Sequence, residues 1–240
     1  MKTMVFGGKE VEPDLRLFSD LKDVIIDKEY YARTKDHPIY FMYRDLALSK
    51  RDRQAMLEAD LRFDITIVPP EMWGKEYTKT VGHYHPMVPG TKLSYTEIYE
   101  VLEGEAHFLL QKLEGEKIVD VVLVKAEKGD KVIMPPNYGH ITINPSNKEL
   151  KMSDLVSNKF KSIYEPYKEK KGGAYYELKD GFVKNTNYKN LPDLRIVKAK
   201  KVAQLGLNKS EEIYSLVKKD LSVLDFLNKP QDFDWLTSLY

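Results

Sequence analysis

The chain has 240 residues, no cysteine and a formal net charge of +1 at pH 7, from 38 Lys and Arg against 37 Asp and Glu. That length fits one large domain, or one domain with sizeable appendages. Zero cysteines exclude disulfides, thiolate metal ligands and a cysteine nucleophile, and the near-neutral balance gives no electrostatic reason to expect nucleic acid or an anionic membrane as partner.

No apolar run reaches membrane-spanning length, and residues 1–28 lack the continuous apolar stretch of a signal peptide. The expectation is a soluble, cytoplasmic protein. Residues 1–60 read as a lead-in of short helices and strands. Within it, DLRLFSDLKDVIID (14–27) predicts a short helix capped by Ser19, PIYFMY (38–43) has the composition of a strand, and SKRDRQAMLEADL (49–61) predicts a charged surface helix.

From Leu61 the pattern changes. LRFDITIVP alternates cleanly, with Phe63, Ile65 and Ile67 on one face and Arg62, Asp64 and Thr66 on the other. The apolar face must pack on a second layer, and the polar face has a use only in solvent or against a polar cavity. Further strands are predicted at 77–85, 95–102, 106–113, 117–125, 131–134 and 140–144, joined by glycine-bearing turns at 103–105 and 114–116. Many short strands at close spacing predict an antiparallel double sheet, whose closed form is the jelly roll.

Four side chains in these strands suggest metal chemistry. His83 and His85 are two apart and so share a strand face. After a turn-forming stretch with Pro86, Pro89 and Gly90, Glu97 and Tyr99 share a face on the returning strand. A third imidazole, His140, comes from the stretch GDKVIMPPNYGHITIN (129–144), whose spacing resembles the second signature of the cupin barrel. Three neutral imidazoles and a carboxylate suit a divalent ion; six-coordination would leave two positions for a hydroxy-carbonyl pair such as O1 and O2 of an open-chain sugar. Glu97 could then carry a proton between C2 and C1, with Tyr99 as relay or as donor to the sugar oxygens, whereas a direct hydride shift would need no base. Both routes stay open. His37 and His107 lie outside the pattern and read as structural.

After Asn144 the signal is less regular. Residues 148–160 could complete the barrel, and 173–178 look like a hairpin arm turning at 179–181. Asn208, with Glu211 three residues on, predicts a helix N-cap ahead of an apolar stripe at Ile213, Leu216 and Val217. The tail is too apolar to float free. The domain reading is a lead-in at 1–60, a barrel at 61–195 and a helical extension at 196–240.

The spacings carry a resemblance. Gly129, Pro135, His140 and Asn144 stand as in the second signature of the cupin barrel, and His83, His85, Glu97 and Gly104 as in the first, apart from a long gap between His85 and Glu97. Asn137 takes a place where cupins usually have glycine, and asparagine tolerates the left-handed backbone better than most residues. The run LRFDITIVPPEMWGKEYTKTVGHYHP (61–86) is similar to the archaeal-type glucose-6-phosphate isomerases of the cupin superfamily. That resemblance implies an all-β cupin jelly roll, a double-stranded β-helix barrel. It implies interconversion of glucose 6-phosphate and fructose 6-phosphate, with metal ligands at His83, His85, Glu97 and His140. Substrate contacts are implied at Thr66, Thr80, Gly82, Tyr99 and Tyr164, with Glu97 and Tyr99 catalytic. The cofactor would be one divalent ion per subunit, with Fe2+ ranked ahead of Mn2+, Ni2+, Co2+ and Zn2+, and the assembly a homodimer. Two family features are missing: a tyrosine, whose place falls at Val156, and a histidine, whose place falls near Lys161 or Ser162. Lys159 or Lys161 could stand in for a phosphate contact. A sugar-phosphate-binding or sensing cupin without turnover, and a cupin dioxygenase, are the alternatives.

Overall fold

The alternating stretches become two facing sheets in the computed structural model, which describes residues 3–240. A hairpin of β1 (Met4–Phe6) and β2 (Lys9–Val11) comes first, then β3 (Asp14–Leu17), antiparallel to β4 (Pro38–Tyr43). The helix predicted over 14–27 does not form. Its start is β3, and only a 3-10 turn, Phe18–Leu21, follows, with Ser19 inside it rather than capping it. The Ser19 hydroxyl instead donates to Asp36 at 2.9 Å, while Phe18, Leu21, Val24 and Ile25 sink into the core. Helix α1 (Lys28–Arg33) is capped by Asp27, and α2 (Lys50–Glu58) by Ser49, whose hydroxyl accepts from the Asp52 N–H at 3.0 Å.

Next come β5 (Leu61–Val68) and a small hairpin of β6 (Met72–Trp73) and β7 (Glu76–Tyr77). The body of the barrel follows: β8 (Glu97–Glu103), β9 (Glu105–Glu114), β10 (Lys117–Glu127), β11 (Lys131–Met134), β12 (Tyr138–Ile143) and β13 (Leu150–Ser157). Helix α3 (Glu165–Glu169) leads to a hairpin of β14 (Tyr175–Leu178) and β15 (Gly181–Lys184), and then to β16 (Arg195–Lys198). The two main sheets run β11-β8-β13-β5-β4-β3 and β12-β9-β10-β16. Pairing is antiparallel throughout except for β16, which runs parallel to β10. The lead-in therefore contributes β3 and β4 to the larger sheet, and the boundary read at 195/196 falls inside β16.

The strand predicted over 77–85 is broken. Only β7 is regular, and beyond it single bridges join Lys79 to Ile143 and His83 to His140. Gly82, at φ 84°, turns the backbone out of the extended region between those bridges.

The outer face of the larger sheet, with Phe63, Ile65, Ile98, Ile133 and Leu155, is covered by the C-terminal segment through Ile213, Leu216, Leu224, Phe226 and Leu236. Each such side chain, fully buried, contributes about 1.5–3 kcal/mol. The helix expected from Asn208 begins later, as α4 (Tyr214–Lys219). Asn208 and Glu211 close a local turn, the Asn208 N–H donating to the Glu211 carboxylate at 3.0 Å, and Glu100 then takes the Ile213 N–H at 2.7 Å. The chain docks on the sheet before it turns helical. Among the described residues no helix is long and apolar enough to cross a membrane.

Candidate metal centre

The bridge between His83 and His140 is made twice: the His83 N–H donates to the His140 carbonyl at 3.1 Å and the His140 N–H to the His83 carbonyl at 3.0 Å. Both imidazoles are thereby fixed on neighbouring backbone. His85 Nδ1 lies 3.0 Å from the Tyr95 carbonyl, which can only accept, so Nδ1 carries the proton and Nε2 presents a lone pair. That Nε2 faces His83 Nε2 at 3.3 Å. From β8, Glu97 Oε2 stands 3.2 Å from His85 Nε2, 3.3 Å from His140 Nε2 and 3.9 Å from His83 Nε2.

These separations fit a common metal ion. Donors about 2.1 Å from one centre stand ~3.0 Å apart at right angles and ~3.4 Å apart at tetrahedral angles. One ligand atom from each of the four residues lies within 4.8 Å of every other. Glu97 Oε2 is buried and forms no hydrogen bond, although three ring nitrogens surround it. The protonation states agree with the fit. Burial, reinforced by His140 and His85, pushes His83 well below the ordinary histidine value. Burial alone would raise Glu97, but His140 and His85 outweigh it and hold the carboxyl well below its usual range. Neutral imidazole and ionised carboxylate are the forms that bind metals.

The other residues singled out in the sequence meet at the same place. Thr66, Thr80, Gly82, Tyr99 and Tyr164 line one cavity with the four donors, and so do Val156 and Ser162. The Tyr99 hydroxyl is 3.4 Å from His140 Nε2. The Thr80 hydroxyl oxygen accepts from the Thr142 N–H at 3.0 Å, which leaves its own hydrogen to donate. Tyr164 sets its ring 5.6 Å from that of His83. Lys159 instead pairs with Asp60 at 2.7 Å. His37 and His107 take structural places, against Glu71 at 3.1 Å and Glu177 at 2.7 Å.

Sequence reasoning missed Tyr40, Arg44 and Asp154, which also line the cavity, and Phe160, whose ring packs on His85 at 4.6 Å and on Tyr95 at 4.9 Å. Asp154 stands in the mixed run LKMSDLVS, where nothing local marks it out. It is buried, and desolvation followed by the Glu97 and Asp64 carboxylates pushes it well above the ordinary aspartate value.

Strand order and donor set define a class: a cupin-type jelly roll with three histidines and one glutamate converging inside the barrel. Within that class, the chain belongs to the glucose-6-phosphate isomerase (GPI) family, whose family model matches residues 15–193. Its relatives include proteins named glucose-6-phosphate isomerase from several archaea. That of Thermococcus litoralis is 31% identical over 140 residues, covering 58% of this chain and 67% of the relative. That of Thermococcus gammatolerans is 34% identical over 139 residues, covering 58% and 64%. The alignments thus span about two thirds of the length of these relatives. Among solved structures, an oxalate oxidase is similar at 18% identity and a TM-score of 0.33, over 44% of this chain and 46% of that one. Bacillus subtilis oxalate decarboxylase is similar at 14% identity and a TM-score of 0.37, over 53% and 28%. Similarity at that level carries no argument about the site.

Proposed function

We propose that this chain is a metal-dependent aldose-ketose isomerase that interconverts glucose 6-phosphate and fructose 6-phosphate. One observation carries the reading: His83, His85, Glu97 and His140 converge in a cavity that also holds Thr66, Thr80, Gly82, Tyr99 and Tyr164. The four donors would hold one divalent ion, Fe2+ first and Mn2+, Ni2+, Co2+ or Zn2+ after it, which when bound supplies positive charge beside the C1 and C2 oxygens of an open-chain sugar.

The chain's own groups do the rest. Glu97, ionised and fixed among the imidazoles, is placed to move a proton between C2 and C1 through its second oxygen. Tyr99 is held far above its ordinary value, first by burial and then by Glu97 and Asp154, so it remains a phenol and donates a hydrogen bond to a sugar oxygen rather than taking a proton. The Thr66 and Thr80 hydroxyls and the backbone at Gly82 bind the phosphate. Phe160, packed on His85, keeps water from that side of the cluster.

The test is turnover: the metal-loaded protein converts fructose 6-phosphate to glucose 6-phosphate, and EDTA abolishes the conversion. A sugar-phosphate-binding protein without turnover is the second reading. It is favoured by Val156 and Ser162 standing in the cavity where the resemblance places a tyrosine and a histidine. Tight binding of fructose 6-phosphate with no product would select it. The reading also takes the chain as a homodimer, supported by the edge strands β15 and β16 with Val183 and Ile196 exposed. Light scattering would then give twice the 27.9 kDa of one chain.

A further inference from the structure

The inner face of the larger sheet is built of rows of directly opposed residues. Glu97, Val156 and Arg62 form the first row; Tyr99, Asp154 and Asp64 the second; Val101, Met152, Thr66 and Met42 the third. Rows on one face are about 6.7 Å apart, and neighbouring residues in a row about 4.8 Å. The second row therefore separates Glu97 of the metal cluster from Thr66 of the phosphate end. On the isomerase reading, a sugar with O1 and O2 at the cluster and its phosphate near Thr66 lays its C3 to C5 hydroxyls over that second row.

We propose that Asp154, together with the Arg62–Asp64 pair, is the hydroxyl-reading site of this cavity, recognising the polyhydroxy middle of an open-chain sugar phosphate and setting selectivity at C4. An acidic side chain at Asp154, only 4% exposed and on the same inner face as two others, is expensive compared with an apolar residue. Asp64 is already committed: its Oδ2 holds Arg62 Nε at 2.9 Å and lies 3.6 Å from Arg44 Nη1, and its Oδ1 accepts the Asp45 N–H at 2.8 Å. It is a positioning residue for the two arginines. Arg62, held through Nε, keeps its terminal amino groups for the cavity that it lines. Among the described residues Asp154 has no cationic nitrogen within ion-pair distance, and its carboxyl hydrogen-bonds to Glu97 at the edge of the cluster, which leaves its remaining lone pairs for the hydroxyls of a ligand. Val156 lies between Glu97 and Arg62 in the first row. Its small side chain leaves the sugar within reach of both Arg62 and Asp154, where a tyrosine would fill the gap.

The test uses the full-length, metal-loaded protein as wild type, Asp154→Asn and Arg62→Lys. Calorimetry gives the affinities for fructose 6-phosphate, its C4 epimer tagatose 6-phosphate and inorganic phosphate, and elemental analysis gives the metal content. The wild type should prefer fructose 6-phosphate over the epimer by about 10-fold or more, and each variant should shrink that ratio to about 3-fold or less. Phosphate affinity and metal content should stay within about 2-fold, a pattern that simple loosening of the fold would not give. Arg62→Lys keeps the test open if Asp154→Asn fails to fold. An unchanged epimer ratio in the variants, a parallel loss of all three ligands, or a wild type blind to the epimer would overturn the proposal. Failure of the isomerase reading is separate: it shows as absent interconversion by the wild type, while the epimer ratio can still be measured by binding.

Discussion

Glu97 holds a carboxylate oxygen among three imidazole nitrogens without a hydrogen bond, so each of the four donors matters more to an ion than to the fold. His140→Ala should lower metal affinity by more than the about 10- to 100-fold that losing an outer-shell partner costs. A metal titration followed by calorimetry checks this, and unchanged affinity would contradict it. Gly82 is constrained differently. At φ +84°, a Cβ there would meet Ile141 Cγ1 at 2.6 Å and the Tyr167 ring at 3.0 Å. Gly82→Ala should therefore destabilise by about 2–4 kcal/mol, combining backbone strain with overpacking, read as a shift in the denaturation midpoint. The four donors could be read in the sequence because their spacing is a local property, even though the strand expected to carry His83 and His85 is broken. Asn137 could be read for the same reason, and it does adopt φ 68°. Asp154 and Arg44 could not, because whether β13, or the chain just past β4, turns a side chain to the cavity depends on pairing with distant strands.

The C-terminal segment works as an element rather than as a tail. Its Phe226 is fully buried against the outer face of the larger sheet, and the Phe226 carbonyl accepts the Thr96 hydroxyl at 2.9 Å, one residue before Glu97. Phe226→Ala should cost about 3–5 kcal/mol, measured by chemical denaturation. A loss below about 1 kcal/mol would mean that the segment does not seal the sheet. Strand β16 is tied to β10 by charge: Arg195 donates to Asp120 at 3.0 and 2.8 Å, and the Tyr138 hydroxyl donates to it at 2.8 Å. Burial would raise the Asp120 value, but Arg195 and Tyr138 outweigh it and hold the carboxyl below the ordinary aspartate value. A lowered folded-state value stabilises above the unfolded value of about 3.9 and is lost as pH falls through the folded one. The difference in Tm between wild type and Asp120→Asn should therefore be present at pH 6 and shrink as pH falls below about 4. A constant difference would show that Asp120 acts by shape alone. Elements were read less well than ligands where tertiary contacts override local propensity. Ser19 and Asn208 both carry capping chemistry, yet Asp36 claims the first and Glu100 fixes the chain beyond the second before any helix begins.

At the scale of the molecule, two sheets close on a cavity whose polar lining is costly without a ligand. Asp64, Glu97 and Asp154 are all buried there with the imidazoles of His85 and His140. Metal binding should stabilise the fold by RT ln(1 + [M]/Kd), about 2.7 kcal/mol at 100 times Kd, seen as a rise in Tm that EDTA reverses. The jelly roll could be anticipated from strand number and turn spacing. The entry of β3, β4 and β16 into its sheets could not, since pairings across long loops leave no local pattern. The most direct test of the isomerase is NMR of the metal-loaded protein with fructose 6-phosphate in D2O. An isomerase using Glu97 as base gives glucose 6-phosphate carrying deuterium at C2, and both signals vanish with EDTA and in His140→Ala. Product without deuterium would exclude a base that exchanges with solvent and leave a hydride shift or a shielded proton transfer, and no product with any of the five metals would contradict the isomerase itself.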